Sequence, residues 1–375
     1  MPLIIADENI PAIAEALAGI GEVRTMPGRA ITAESLREAD ALVVRSVTKV
    51  NAALLAGSKV RLVATATTGD DHLDLAWLHS QGIAVATAAG SNARSVVEYL
   101  IAALLEVGAR TGGLDGKTLG VIGHGRIGGE VARLAPLLGL EAIACDPPRQ
   151  RAGHRAADGR EFLPITEVLR RADIVTLHVP LVRDGEDATR GLVDEARLAL
   201  LRDGAVVINT SRGDVLAGDA LRRGLESGRI GGAVLDVWEN EPAIDPALAR
   251  LCWIATPHIA GYSTDGKFEG TRMVAAAVAA HLGRPFSWRP TLPPPHRDSL
   301  RTPESGTPED KIRSLVHQAY DLRMDDARLR TCLHSPTLAT EFDRLRKEYP
   351  IRREFRAFTL SQGYPHIWKS LSALE

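Results

Sequence analysis

The chain has 375 residues, 45 % of them apolar and 25 % charged, with a formal net charge of −2. That length predicts two or three domains of a globular protein, and the near-neutral balance gives no reason to expect nucleic acid or an anionic membrane as partner. No apolar stretch reaches the roughly 20 residues that span a bilayer, the opening apolar run lacks a signal peptide's basic leader, and Cys145, Cys252 and Cys332 show no metal-ligand spacing, so a reducing, cytoplasmic location is expected.

Apolar runs at residues 3–6, 41–45 and 62–66 read as buried strands, while residues 10–18, 33–38 and 74–81 space their apolar side chains helically. The alternation implies a parallel sheet covered on both faces. A helix over 95–108 leads to a second α/β unit, with a β-branched strand at 118–122, a helix over 129–138 and a strand at 142–145 closed by Asp146. Further strands are expected at 174–178, 205–209, 233–237 and 254–257. An alanine-rich helix over 266–282 is expected to return to the first domain, which is then discontinuous: residues 1–94 with 256–285, around a second domain over 95–255. From 286 to 308 the composition turns to proline, arginine, serine and threonine, and Pro290, Pro293, Pro294 and Pro295 exclude a helix or a central strand there. This stretch reads as a linker or extended arm. The rest of 286–375 mixes helical patterning with charge, and packing on a partner subunit is the expected source of the burial it lacks.

The most informative segment is Gly123-His124-Gly125-Arg126-Ile127-Gly128, between the strand at 118–122 and a helix. A G-x-G-x-x-G alone is weak, because glycines also make ordinary turns. In this context it reads as a dinucleotide fingerprint. Gly123 permits the tight turn, Gly125 lets the backbone approach a pyrophosphate, and Gly128 lets the helix pack closely on the sheet. The amides of Arg126 and Ile127 face the phosphates at the positive end of the helix. Asp146, about 20 residues beyond the first glycine as that motif requires, would accept from the adenosine ribose hydroxyls and repel a 2′-phosphate. NAD is therefore favoured over NADP, although Arg149 and Arg151 stand close by.

Three later segments join ionisable residues to glycine or proline at presumed strand ends: Asn209-Thr210-Ser211-Arg212-Gly213, Asp236-Val237-Trp238-Glu239-Asn240-Glu241-Pro242, and Thr256-Pro257-His258-Ile259-Ala260-Gly261-Tyr262. Singly, such an arginine is an ion-pair residue, the histidine a turn residue and the glutamate a solvated one. Together they match what oxidation of a 2-hydroxy acid needs. Arg212 can hold a carboxylate with two N–H groups, His258 can take the hydroxyl proton, and Glu241 can orient the imidazole.

These segments resemble the D-isomer-specific 2-hydroxyacid dehydrogenases. The resemblance implies two doubly wound parallel-sheet domains, a flavodoxin-like substrate domain and a Rossmann NAD domain, plus a small C-terminal α+β dimerisation domain. It implies Arg212, Glu241 and His258 as catalytic residues; Glu239 shares the acidic loop, but the family's glutamate stands directly before the proline. It also implies cofactor contacts at Thr176, Thr210, Asp236 and Gly261, and a homodimer. A narrower likeness to members acting on a phosphorylated 2-hydroxy acid rests on Ala6-Asp7-Glu8-Asn9-Ile10-Pro11, Val44-Arg45-Ser46-Val47-Thr48-Lys49-Val50-Asn51, Thr65-Ala66-Thr67, residues 258–262, and tail segments opening at Tyr320 and Phe342. It implies Ser46, Thr67 and Tyr262 as substrate contacts. Arg45 or Lys49 could neutralise the phosphate; a surface ion pair is the alternative for each. Two departures from the family pattern, Asp70 and the segment 214–218, bear on affinity. Other readings stay open: a different D-2-hydroxyacid dehydrogenase, such as one acting on 3-phosphoglycerate, or a dinucleotide-sensing corepressor on the same scaffold.

Overall fold

A computed structural model describes residues 1–156, 158–363 and 365–373. The chain divides into two compact units, Met1–Ala93 with Ser263–Pro293, and Arg94–Tyr262 with Pro294–Glu375. Residues 256–262 thus group with the second unit, and so does the C-terminal region.

In the first unit, β1 (Leu3–Asp7), β2 (Glu22–Met26), β3 (Ala41–Val44), β4 (Leu62–Thr65) and β5 (Ala84–Thr87) form a parallel sheet in the order β2-β1-β3-β4-β5. This is the flavodoxin-like order, with its reversal between β1 and β3. The central strands are almost wholly buried, as interior parallel strands are. Edge strands β2 and β5 keep partly exposed side chains, and β2 gives no apolar run in the sequence. Helices close both faces. On one, Val274, Ala275, Val278 and Ala279 of the helix Thr264–His281 pack with Ile4, Val43 and Ala64. On the other, Leu36, Leu55 and Leu78 cover Ile5, Leu42 and Val63.

The second unit holds β6 (Thr118–Ile122), β7 (Glu141–Cys145), β8 (Ile174–Leu177), β9 (Val206–Asn209), β10 (Gly232–Leu235) and β11 (Ile254–Ala255), all parallel, in the order β11-β10-β9-β8-β6-β7. The order reverses between β6 and β8, so a ligand crevice is expected beyond their carboxyl ends. Outside β7 the Leu163 N–H donates to the Ala144 carbonyl at 2.8 Å, a single bond of a strand that goes no further. The helix Ala93–Thr111 is buried continuously from Ser95 to Gly108, longer than its apolar periodicity indicates.

The C-terminal region departs from the sequence expectation in two ways. The proline-rich stretch contains a strand, β12 (Ser299–Arg301), paired in parallel with β13 (Thr359–Gln362); the partner lies about 60 residues away, so no local pattern announces it. The missing burial is also supplied by the chain itself. Phe355, Phe358 and Trp368 share a core with the helix Ala93–Thr111, and Leu329, Leu333 and Phe342 share another with Trp238, Leu248 and Cys252. Arg352, 5 % exposed, donates to the carbonyls of Ser95 (2.7 Å) and Ala260 (3.1 Å). No described helix is long and apolar enough to cross a membrane. Among the described residues no metal-ligand cluster occurs, and the three cysteines are buried and free.

Phe342 lies on the helix Leu338–Lys347 and is fully buried. Replacing it with alanine is expected to destabilise the second unit by about 3–5 kcal/mol; a urea midpoint within error of wild type would refute this anchoring of the tail.

Candidate active site

The glycine loop leaves β6 at Gly123, whose φ of 90° suits glycine. A Cβ there would lie 2.6 Å from the His178 carbonyl oxygen, and one at Gly128 only 1.9 Å from that of Gly123. At Gly125, the N-cap of the helix Arg126–Leu134, a Cβ would meet nothing within 4 Å. The crowded glycines close the turn; the open one leaves room above first-turn amides that no side chain caps. Asp146 accepts from the His124 N–H at 2.8 Å and, as N-cap of the helix Pro147–Arg151, from the Arg149 N–H at 3.0 Å. A carboxylate has about four acceptor sites, so two remain for ribose hydroxyls. Arg151 turns to Glu186 and Asp187, whereas the buried Arg149 Nε has no partner among the described residues. The buried Thr210 hydroxyl is likewise unpartnered. In β8, the Thr176 hydroxyl meets His178 Nε2 at 2.9 Å, and burial pushes that imidazole down to about 3.

Arg212, Asp236 and His258 leave the carboxyl ends of three adjacent strands, β9, β10 and β11. Asn209 shapes the first turn, accepting from the Ser211 N–H and hydroxyl and donating to the Arg212 carbonyl. A Cβ on Gly213 would lie 2.0 Å from the Trp238 carbonyl carbon, so glycine lets the Arg212 turn sit directly against the loop carrying Glu241. Asp236 is 1 % exposed and binds the third loop from below. It accepts from the Thr256 hydroxyl (2.7 Å) and the N–H groups of Ile259 (2.7 Å) and Ala260 (2.9 Å). Burial raises its carboxyl, opposed by the His258 charge and those hydrogen bonds. Within this loop His258 adopts a φ of 55°, unusual outside glycine. His258 Nδ1 lies 2.7 Å from Glu241 Oε2, and Glu241 Oε1 accepts from the Trp238 N–H at 2.8 Å. Burial alone would raise the Glu241 carboxyl; His258, the Trp238 amide and Arg346 together hold it below its ordinary value. Glu239 instead accepts from the Gly218 N–H, away from His258. The Glu241–Pro242 bond is cis. Gly261 and Tyr262 follow, Tyr262 edge-on to Tyr349 at 5.7 Å.

In the first unit, Ser46 is exposed just beyond β3. Arg45 Nε donates to the buried Asp7 carboxylate at 3.2 Å, so one face of this guanidinium is already committed. Thr67 belongs to a relay, its hydroxyl 2.7 Å from that of Thr65 and donating to the Gly69 carbonyl at 2.9 Å, with His72 Nε2 3.0 Å from Thr65. Burial lowers the His72 imidazole, opposed by the charges of Asp71 and Asp70, so the departure at Asp70 acts on this histidine. Three participants give no motif signal in the sequence: the Trp238 amide, the Tyr99 hydroxyl that donates to Thr256 at 2.7 Å, and Arg346.

Residues 105–260 match the family model of the D-isomer-specific 2-hydroxyacid dehydrogenase NAD-binding domain, and residues 291–374 match a domain family of unknown function. An erythronate-4-phosphate dehydrogenase of Salinibacter ruber is 47 % identical over 95 % of this chain and 93 % of its own length. One from Pseudomonas aeruginosa is 46 % identical over 96 % and 95 %. A crystal structure of D-lactate dehydrogenase from Aquifex aeolicus, complexed with NAD and lactic acid, superposes with a TM-score of 0.64 at 26 % identity, covering 75 % of this chain and 95 % of that one.

Two measurements test this geometry. Asp146→Asn keeps an acceptor and removes the charge; NAD affinity is expected to fall roughly 10-fold or more while the preference for NAD over NADP narrows, and an unchanged cofactor ratio would exclude Asp146 from ribose recognition. For His178 the native pKa lies below the unfolded one, so between pH 6.5 and about 3 the unfolded chain holds the extra proton and stability falls as pH falls. The ring keeps some solvent contact, so its share is expected below about 1.4 kcal/mol per pH unit. His178→Asn should flatten the acid limb of a urea-stability profile, and parallel limbs would contradict the assignment.

Proposed function

We propose that this chain, which belongs to the D-isomer-specific 2-hydroxyacid dehydrogenase family, oxidises 4-phospho-D-erythronate at C2 to (R)-3-hydroxy-2-oxo-4-phosphooxybutanoate. It is an NAD-dependent oxidoreductase acting on a CH–OH group. The observation that carries the reading is the Glu241–His258 pair at 2.7 Å, beyond the ends of β10 and β11 in the same sheet whose next strand, β9, bears Arg212. The relatives named erythronate-4-phosphate dehydrogenase, matched along nearly the whole chain including the tail, support the phospho-acid over 3-phosphoglycerate and over a non-catalytic dinucleotide sensor.

The chemistry follows from the groups present. Glu241 accepts a hydrogen bond from the N–H at His258 Nδ1, which leaves the Nε2 lone pair to receive the C2 hydroxyl proton. The Arg212 guanidinium holds the C1 carboxylate through paired charge-assisted bonds and fixes the C2–H direction. Asp236 orients the loop rather than the substrate. The open space at Gly125, the uncapped amides and the unpartnered Thr210 hydroxyl fit a dinucleotide; NAD, when bound, accepts the hydride from C2. Ser46, Thr67 and Tyr262 offer uncharged hydroxyls to the substrate's anionic oxygens, with Arg45 offering the part of its guanidinium not given to Asp7. We assign the first unit, Met1–Ala93 with Ser263–Pro293, to substrate binding, Arg94–Tyr262 to the cofactor, and the C-terminal region that follows to joining two copies in a cytoplasmic homodimer. The reaction belongs to pyridoxal 5′-phosphate biosynthesis.

NAD reduction with 4-phospho-D-erythronate and with 3-phosphoglycerate tests the reading, the first expected to turn over and the second not. Equal rates, or turnover of 3-phosphoglycerate alone, would overturn the substrate assignment. Arg212→Ala is expected to lower kcat/KM roughly 10²- to 10⁴-fold while NAD binding is retained; unaltered turnover would refute the carboxylate-clamp role.

A further inference from the structure

The C-terminal helix Leu338–Lys347 brings a cation to the loops that carry Glu241 and Tyr262. The Arg346 guanidinium carbon lies 5.8 Å from the centre of the Tyr262 ring and 6.0 Å from that of Phe342. Its Nε is buried and has no hydrogen-bond partner among the described residues. The groups it faces electrostatically are Tyr262, Glu241 and, on its own helix, Asp343. The Tyr262 ring also meets Tyr349 edge-on at 5.7 Å, and the Tyr349 hydroxyl donates to Asp325 at 2.7 Å. Tyr262 is thus gripped by two side chains of the C-terminal region, and the carboxylate that orients His258 has a C-terminal arginine for a neighbour. Burying a guanidinium is costly unless attraction to nearby charge offsets it, and here burial is opposed by Tyr262 and Glu241.

We propose that Arg346 is a positioning residue of the catalytic centre: it fixes the Tyr262 ring and balances the charge of Glu241, so that the C-terminal region completes the site. This rests on the functional reading above. Arg346 moves no proton itself. It acts on the substrate through Tyr262, and on His258 through Glu241. A planar cation can lie over an aromatic ring while its charge acts on a nearby carboxylate; lysine can supply the charge but not the plane. Removing a positive charge from beside the Glu241–His258 pair makes the pair hold its proton to higher pH, with Asp236, which also faces His258, left in place.

The test uses the full-length protein with Arg346→Gln and Arg346→Lys, reading kcat and KM across about three pH units, NAD affinity and thermal midpoint. Arg346→Gln is expected to raise the KM of the 2-hydroxy acid at least ~10-fold and to move the ascending limb of kcat/KM for oxidation to higher pH, with NAD affinity kept. Arg346→Lys is expected to return the limb to its wild-type position and only part of the KM. An unmoved pH limb in folded Arg346→Gln overturns the proposal, as does a loss that tracks only thermal stability. If Arg346→Gln does not fold, Arg346→Lys decides: a KM equal to wild type refutes it. The assays use whichever 2-hydroxy acid the wild type oxidises. Wild type inactive on 4-phospho-D-erythronate is thus a failure of the substrate reading, whereas active wild type with indifferent Arg346 variants is a failure of this inference alone.

Discussion

The Asp236 carboxylate, sealed beneath the loop at residues 256–262, is the constraint on which the site's geometry depends. Burying such a group is unfavourable unless its oxygens are occupied, and three donors occupy them: the Thr256 hydroxyl and the N–H groups of Ile259 and Ala260. The loop is therefore wound around an anion, not merely connected to one. With its amides directed inward the backbone at His258 takes a left-handed conformation, and local strain of this kind persists only where surrounding contacts over-determine it. The imidazole then reaches Glu241, itself held by the Trp238 amide. One buried charge thereby sets the direction of a half-exposed ring three residues beyond the end of β11.

Around that anchor the second sheet does the coarse placement. Adjacent parallel strands end level with one another, so three segments far apart in sequence, opening at Asn209, Asp236 and Thr256, converge. The C-terminal region then covers what the sheet leaves open. Its apolar side chains enter the cores of the second unit, and its polar ones attach to backbone that the loop at residues 256–262 would otherwise leave bare, as Arg352 does at the Ala260 carbonyl.

The interior strands and the glycine loop were legible from residue types because their physics is local. A β-branched run must be covered on both faces, and a turn as tight as that at Gly123 excludes a Cβ. Edge strand β2 was not legible, since most of its side chains stay exposed and its residues make no apolar run. The helix after the fingerprint begins at Arg126, three residues before its apolar pattern, because glycines give periodicity nothing to read. Strand β12 was hidden among prolines. At the site, residue types nominated Arg212, Glu241 and His258, but no spacing could reveal that a backbone amide at Trp238 holds the glutamate, or that Arg346 comes to lie beside Tyr262. Those are relations between distant segments, and only folding brings them together.

The two backbone amides gathered by Asp146 have a bearing on how this protein could change over evolutionary time. The same carboxylate that would meet the ribose also fastens the glycine loop at His124 and starts the next helix at Arg149. Loop architecture and, on the reading proposed above, cofactor preference are thus written in one side chain. A lineage drifting toward a phosphorylated dinucleotide could not simply discard the acid; it would first need another acceptor to hold the loop. Ancestral sequences along such a path should acquire that substitute before they lose the aspartate, and the order of the two changes would be imposed by the backbone rather than by the ligand.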